Sequence, residues 1–182
     1  MSAAHESLAP SSWVRRWSHL VAPRASVLDV ACGSGRHVRW FASRDARVTA
    51  VDRDAAALEP LRAMAQVIVA DIESDPWPLA GRRFDAVIVT HYLWRALLPT
   101  LVASVDTGGV LIYETFASGN RTVGKPSNPD FLLRPGELLT ASQDLRVIAY
   151  EDGFLAEPER FVQRIVAVRE RAGSAAPPRY PL

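Results

Sequence analysis

The chain alternates short, β-branched apolar runs with longer amphipathic stretches. Residues 27–30 (Val-Leu-Asp-Val), 48–51, 67–70, 84–90 and 110–116 are each four to seven residues long and nearly continuous in apolar character. Runs of that length and composition predict strands buried on both faces of a parallel sheet. Between them, residues 35–43, 54–64 and 93–105 carry helical spacing, with Asp54 as an N-cap and Gly108-Gly109 as the turn into the fifth strand. Two further runs, 147–150 and 161–169, predict a closing strand pair joined by a polar loop over 151–160. Five strand–helix units followed by a strand–strand pair predict a doubly wound α/β fold, Rossmann-like and seven-stranded, whose last strand is antiparallel. The stretch from Asp71 to Arg83, with Pro76 and Pro78, is too short for a full crossover helix and predicts a turn.

In such a sheet ligands collect beyond the carboxyl ends of the strands, where the strand order reverses. That rule selects the residues just after Val30, Val51, Ala70, Val89 and Phe116. The first of these places holds Ala31-Cys32-Gly33-Ser34-Gly35-Arg36-His37. Its two glycines allow a tight turn and a close approach of ligand, and the following helix start offers free N–H groups. A nicotinamide fingerprint needs a third small residue, but that position holds Val38. Three acids accompany the loop: Asp29 within the first strand, Asp52 after the second and Asp71 after the third. Asp52 suits a pair of ribose hydroxyls, and Asp71 an adenine amino group with Ile72 against the ring. Asp29 either holds an ammonium or buttresses the loop. So many carboxylates would repel a phosphate, which points to a nucleoside with a zwitterionic tail.

These residues resemble the class I S-adenosylmethionine-dependent methyltransferases. The likeness rests on residues 27–37, on Asp52, on Asp71-Ile72 and on the fourth strand, 84–90, and it runs over about residues 13–116. It implies the class I methyltransferase fold, S-adenosylmethionine as cofactor and methyl transfer as the activity. The cofactor contacts it implies are Trp17, Asp29, Ala31, Gly33, Gly35, Arg36, Asp52, Arg53, Asp71, Ile72 and Thr90. The second half is similar to the small tellurite-resistance-type methyltransferases through Phe131-x-x-x-x-Gly136-Glu137-Leu138 and a late arginine, Arg164. The chain lacks the Asn/Asp-Pro-Pro-Tyr/Phe motif of adenine-methylating enzymes and has Thr90-His91-Tyr92-Leu93-Trp94 instead. That argues against methylation of base amino groups.

Four residues are candidates for the chemistry. His91 and Tyr92 form a titratable pair at a strand end, and His91 is able to act as a base near neutrality. Glu114 interrupts the fifth strand and must face the cleft or pair with an arginine such as Arg164, because an unpaired buried carboxylate is costly. Trp13 and Trp17 share one face of an N-terminal helix capped by Ser11 or Ser12, and either lie over the cofactor or simply cover the sheet. Arg16 or Arg36 suits the cofactor carboxylate. Trp94 and Arg95 either line an acceptor pocket or pack outward. Residues 119–135 form a long loop in which 131–133 is apolar enough to fold back as a lid.

Composition narrows the partners. With 182 residues the chain is one domain, with a core over about 11–171 and mobile ends at 1–10 and 172–182. A balance of 21 Lys+Arg against 20 Asp+Glu supplies no basic strip, so nucleic acid is not an expected partner and a small-molecule methyl acceptor is. A thiol or a chalcogen oxyanion fits the resemblance. Single Cys32 allows no internal disulfide, and neither a leader nor a membrane-length apolar run is visible, which together predict a cytoplasmic protein, monomer or homodimer. His5, His19 and His37 have no metal spacing with Cys32, so no metal is expected. Two other readings are a non-catalytic S-adenosylmethionine-binding regulatory module and a methyltransferase that reaches a protein or nucleic acid through a partner.

Overall fold

The computed structural model describes residues 9–171, 173 and 178–182. Of the expected mobile ends, residues 1–8 (with His5), 172 and 174–177 lie outside that set. Seven strands form one sheet: β1 (Ser26–Val30), β2 (Arg47–Asp52), β3 (Ala65–Val69), β4 (Phe84–Thr90), β5 (Val105–Phe116), β6 (Arg146–Ala156) and β7 (Glu159–Val168). Their order is β3-β2-β1-β4-β5-β7-β6. The first five are parallel, and β7 is antiparallel to both β5 and β6. The expected doubly wound sheet with an antiparallel last strand is therefore what the chain forms. Its order reverses between β1 and β4.

Among the described residues five helices flank the sheet: α1 (Ser12–Trp17), α2 (Arg36–Ala42), α3 (Ala55–Leu58), α4 (Leu98–Ala103) and α5 (Glu137–Ala141). One face buries Leu28, Val30, Val87, Val89, Leu111 and Tyr113 under α4 and α5. The opposite face buries Val27, Ala86, Ile88, Val110 and Ile112 under Trp13, Trp17, Val38 and Phe41 of α1 and α2. This two-sided burial explains why the strands read as continuous apolar runs rather than alternating ones.

Several boundaries differ from the sequence pattern. The expected helix over 54–64 closes after Leu58 into a 3-10 turn, Glu59–Leu61, because Pro60 cannot donate within a longer helix. The expected helix over 93–105 likewise starts as a 3-10 turn, Arg95–Leu97, and becomes α4 with Pro99 in its first turn. Asp54 does cap α3, accepting from the amides of Ala56 and Ala57 at 3.0 Å. Residues 70–83 make turns only, as expected.

The polar stretch 151–160 is not a loop. It continues β6, turns at residues 157–158 and starts β7, with Phe154 opposite Phe161. Polar residues are admissible there because β6 is an edge strand open to water on one face. Gly108-Gly109 also lies within β5, where the register against β4 shifts. A Cβ on Gly109 would stand 2.9 Å from the Phe84 carbonyl oxygen, so that bulge requires glycine.

Residues 119–135 are tied down at both ends rather than forming a free lid. Leu133 pairs with Ala117 beside β5, and Leu132 and Leu133 are fully buried, leaving only Phe131 outside. Arg95 forks onto Glu137 at 2.7 and 3.0 Å and also donates to the carbonyls of Asp130 and Leu132. The Phe131-to-Leu138 motif thus works here as an anchor: Glu137 also accepts from the Arg134 amide at 2.8 Å. Among the described residues no helix is long and apolar enough to cross a membrane.

Gly35 carries the sharpest steric demand of the fold. It caps α2 at φ 76°, and a Cβ there would overlap the Leu61 side chain. A Gly35→Ala variant is expected to lose about 2–4 kcal/mol, from left-handed strain and overpacking together. Urea denaturation measures this, and a loss under about 1 kcal/mol would contradict it.

Candidate functional site

The glycine loop leaves β1 at the point where the sheet order reverses. Ala31 (φ 50°) and Gly33 (φ 53°) both lie in the left-handed region, so the chain doubles back within a few residues. The turn is clamped from the neighbouring strand: the Asp52 carboxylate accepts from the Gly33 amide at 2.8 Å and from the Asp54 amide at 2.9 Å. Each of its oxygens keeps a second lone pair for an outside donor. A Cβ on Gly33 would meet nothing within 4 Å, so the space beside the loop is open.

Beside this loop lies a cavity of about 130 Å³, lined by Ala31, Asp52, Arg53, Ala70, Asp71, Ile72, Glu73 and Tyr92. Five of the residues expected to touch a cofactor, namely Ala31, Asp52, Arg53, Asp71 and Ile72, therefore meet around one space. Tyr92, expected among the catalytic residues, lines it too. The Tyr92 hydroxyl is buried without a partner. Burial and the carboxylates of Glu73 and Asp71 push its pKa up, so it stays a neutral donor.

The remaining expected contacts stand further along the strand ends. Arg36 reaches over the end of β4, with Nη2 at 3.4 Å from both Thr90 Oγ1 and His91 Nδ1. His91 has φ 54° and packs its ring against Phe116 at 5.0 Å. Loss of water over the packed ring and the neighbouring Arg36 guanidinium lower its pKa to about 4. His91 is therefore neutral at pH 7 but a weak base.

Arg160, which the sequence pattern puts in a loop, stands at the start of β7, two residues before the Val162–Phe116 pair. Its charge acts on Arg36 and on His91, lowering the proton affinity of both, and its Nε is buried without a partner. Among the described residues neither Arg36 nor Arg160 is in an ion pair. Two guanidiniums thus gather around the neutral His91 at the strand ends. Arg160 had no local sequence signal, since its strand could be found only from the pairing of β6 with β7.

Asp29, Glu114 and Arg164 belong to a buried polar chain on the α1 face. Asp29 and His37 are both about 1% exposed, with 4.0 Å between Oδ1 and Nδ1. Burial raises the Asp29 pKa to about 8 and lowers that of His37 to about 3, so both are neutral at pH 7. The Ser11 amide donates to His37 Nε2 at 3.1 Å, which places the ring proton on Nδ1. Ser11 Oγ donates to Glu114 at 2.8 Å while accepting from the Trp13 and Val14 amides as the cap of α1. Arg164 pairs with Glu114 at 3.2 Å and with Glu151 at 2.5 Å, and lies over the Trp13 ring at 4.8 Å.

Glu114 therefore meets Arg164, one of the two arrangements its sequence position allowed. Trp17 is buried against the sheet beside Trp13, with Arg16 over its ring at 5.0 Å. Arg16 itself reaches Glu151 at 3.6 Å. Cys32 is a small buried residue whose thiol pKa is pushed up by burial and by Asp29, so no thiolate forms there. Trp94 is exposed at the carboxyl end of the sheet.

Comparison with known proteins fits this geometry. Residues 27–109 match a family model described as a methyltransferase domain. A malonyl-[acyl-carrier protein] O-methyltransferase from Serratia marcescens is 32% identical over 107 residues, covering 54% of this chain and 41% of that protein. The chain thus spans well under half of that curated relative's length. Among solved structures, TehB from Haemophilus influenzae superposes with a TM-score of 0.69 at 18% identity, over 94% of this chain and 64% of that one. A TehB-like SAM-dependent methyltransferase from Corynebacterium glutamicum gives 0.64 at 15% identity, over 91% and 92%. The class I methyltransferase fold and the family resemblance read from the glycine loop are borne out by these matches.

The buried Asp29 sets a pH dependence with a definite sign. Folding raises its pKa from 3.8 to about 8, so across that range the folded state holds an extra proton and loses stability as pH rises. His37 and His91, lowered from 6.5, act oppositely, and their effect ends only about one unit above 6.5, where the unfolded chain has lost both protons. Between about pH 7.5 and 9 the Asp29 effect dominates and amounts to about 1 kcal/mol. Denaturation across that window is expected to show the wild type weakening and Asp29→Asn weakening less; equal slopes would contradict this assignment.

Proposed function

We propose that this chain, carrying a methyltransferase domain at residues 27–109 on a class I fold, uses S-adenosylmethionine to methylate a small anionic acceptor. The observation that carries the reading is the cavity beside the glycine loop. It joins a carboxylate with spare lone pairs (Asp52), a second carboxylate (Asp71), an apolar side chain (Ile72) and an unpartnered phenol hydroxyl (Tyr92). That donor and acceptor set fits adenosine: Asp52 takes the ribose hydroxyls, Asp71 the adenine amino group, and Ile72 the ring face. Ala31 and Gly33 let the loop backbone approach, and Arg53 lines the same cavity. Arg36 holds the cofactor carboxylate beyond the start of α2, with Thr90 supporting the guanidinium.

The bound cofactor would supply an activated methyl group on a sulfonium. An acceptor would have to present a lone pair in line with that methyl, and aligning the two would fall to the residues around it. The protein's part is positioning and exclusion of water. A pKa of about 4 makes His91 a poor base for a neutral thiol at pH 7. An acceptor already ionised needs no base, and the Arg160 guanidinium, whose charge reaches the neutral His91, supplies a cationic place for it. A thiolate or a chalcogen oxyanion meets that requirement. So does a carboxylate, and the likeness to malonyl-[acyl-carrier protein] O-methyltransferases favours that second reading of the acceptor. Glu114 and Arg164 act at a distance, Glu114 through Ser11 at the cap of α1 and Arg164 over the Trp13 ring, so that they hold α1 on the sheet.

Calorimetric titration with S-adenosylhomocysteine tests the cofactor half. The wild type is expected to bind in the micromolar range and Asp52→Ala at least tenfold more weakly, about 1.4 kcal/mol or more. No heat from the wild type, or unchanged affinity in the variant, would overturn it. Arg160→Met tests the acceptor half: KM for an anionic acceptor rises at least tenfold while S-adenosylhomocysteine affinity stays within twofold. An unchanged KM would remove Arg160 from the site.

A further inference from the structure

A groove of about 500 Å³ runs between α1 and α2 on the outer face of the molecule, away from the cofactor cavity. Its lining is Ser12, Arg15, Arg16, Ser18, His19, Trp40 and Arg44, without a single carboxylate. Elsewhere on the surface three arginines are matched one to one by acids. Arg24 pairs with Asp45, Arg62 with Glu59, and Arg146 with Glu170. The basic hollow at the opposite sheet end, around Arg47, Arg62 and Arg82, is satisfied internally. There Arg82 donates to Gln66 at 3.2 Å, and Arg47 to the Arg24 carbonyl at 3.1 Å.

In the α1–α2 groove the cations converge instead. Among the described residues Arg15 and Arg44 form no ion pair, and Arg44 lies flat over the Trp40 ring at 5.2 Å. Arg16 keeps only a long contact to Glu151 at 3.6 Å. His19 is fixed by the carbonyls of Arg16 and Pro181. The indole N–H of Trp40 is buried without an acceptor. Like charges gathered from two helices repel one another, and an anion between them relieves the repulsion.

We propose that this groove is a second ligand site, and that it takes a phosphate ester. A phosphate presents three terminal oxygens and close to two negative charges, so guanidiniums from opposite walls engage it together. A single planar carboxylate engages one fork at a time. The volume lies within the range of small-molecule sites. The site rests on these residues alone and stands whether or not the cofactor reading holds.

The test is calorimetry with inorganic pyrophosphate and with glycerol 3-phosphate, on the protein alone and again with S-adenosylhomocysteine added, in about 50 mM salt. Saturable binding below about 1 mM is expected for at least one of them. Arg15→Gln with Arg44→Gln should weaken it at least tenfold while S-adenosylhomocysteine affinity stays within twofold. The Trp40 indole N–H resonance should shift in step with occupancy, and it reports on the site even if the double variant fails to fold. Absence of saturable binding, binding that survives the double variant, or a Trp40 resonance that does not move would each overturn the proposal. So would tighter capture of an acidic peptide than of either phosphate compound, which would make the face a protein-docking surface.

Discussion

One carboxylate, Asp52, holds the structure's central turn. The chain must reverse at the end of β1 through two residues in left-handed geometry, and a turn of that kind persists only when its surroundings fix it. Asp52 fixes it from the next strand by accepting the Gly33 amide. The parallel register that sets Val30 beside Val51 brings Asp52 to the loop's edge. The acid that braces the backbone therefore also borders the cavity, so the brace and the ligand contact are one side chain. Gly35 completes the turn, since only glycine caps α2 in that conformation against Leu61.

A second constraint comes from the N-terminal segment. Its helix has only six residues, too few to be stable alone. It stays in place because Trp13, Val14 and Trp17 bury their side chains on the sheet and Ser11 bonds at once to His37 and Glu114. The groups beneath it are expensive to bury. Asp29 and His37 lower that cost by staying neutral, whereas Glu114 keeps two partners, Ser11 and Arg164. Helix α1 is thus latched to α2 and β5 through two polar contacts of Ser11, the first of which needs His37 to carry its proton on Nδ1.

Much of this was legible in the sequence, for reasons that are local. Strands buried on both faces leave runs such as 84–90 that cannot be mistaken for amphipathic helix, and Asp52 and Asp71 stand where those runs stop. The pairing of Glu114 with Arg164 was foreseeable because a carboxylate amid Ile112, Tyr113 and Thr115 must find a cation. What stayed hidden depends on edges and distant pairing. The second half of β6 looks like a loop because an edge strand tolerates Glu151 and Asp152. Arg160 was concealed with it, although it acts on Arg36 and His91 from the start of β7. The role of Ser11 could be read only as a cap, since nothing local shows that a serine 103 positions away from Glu114 in sequence will touch it.

The central claim is that the cavity between the glycine loop and Tyr92 is an adenosine site built on Asp52. A crystal structure with S-adenosylhomocysteine bound tests it most directly. The account predicts both ribose hydroxyls on the Asp52 carboxylate, the adenine between Ile72 and Tyr92, and the homocysteine carboxylate at Arg36. A nucleoside bound elsewhere, or an Asp52 carboxylate facing only Gly33 and Asp54 with the ligand in place, would contradict it.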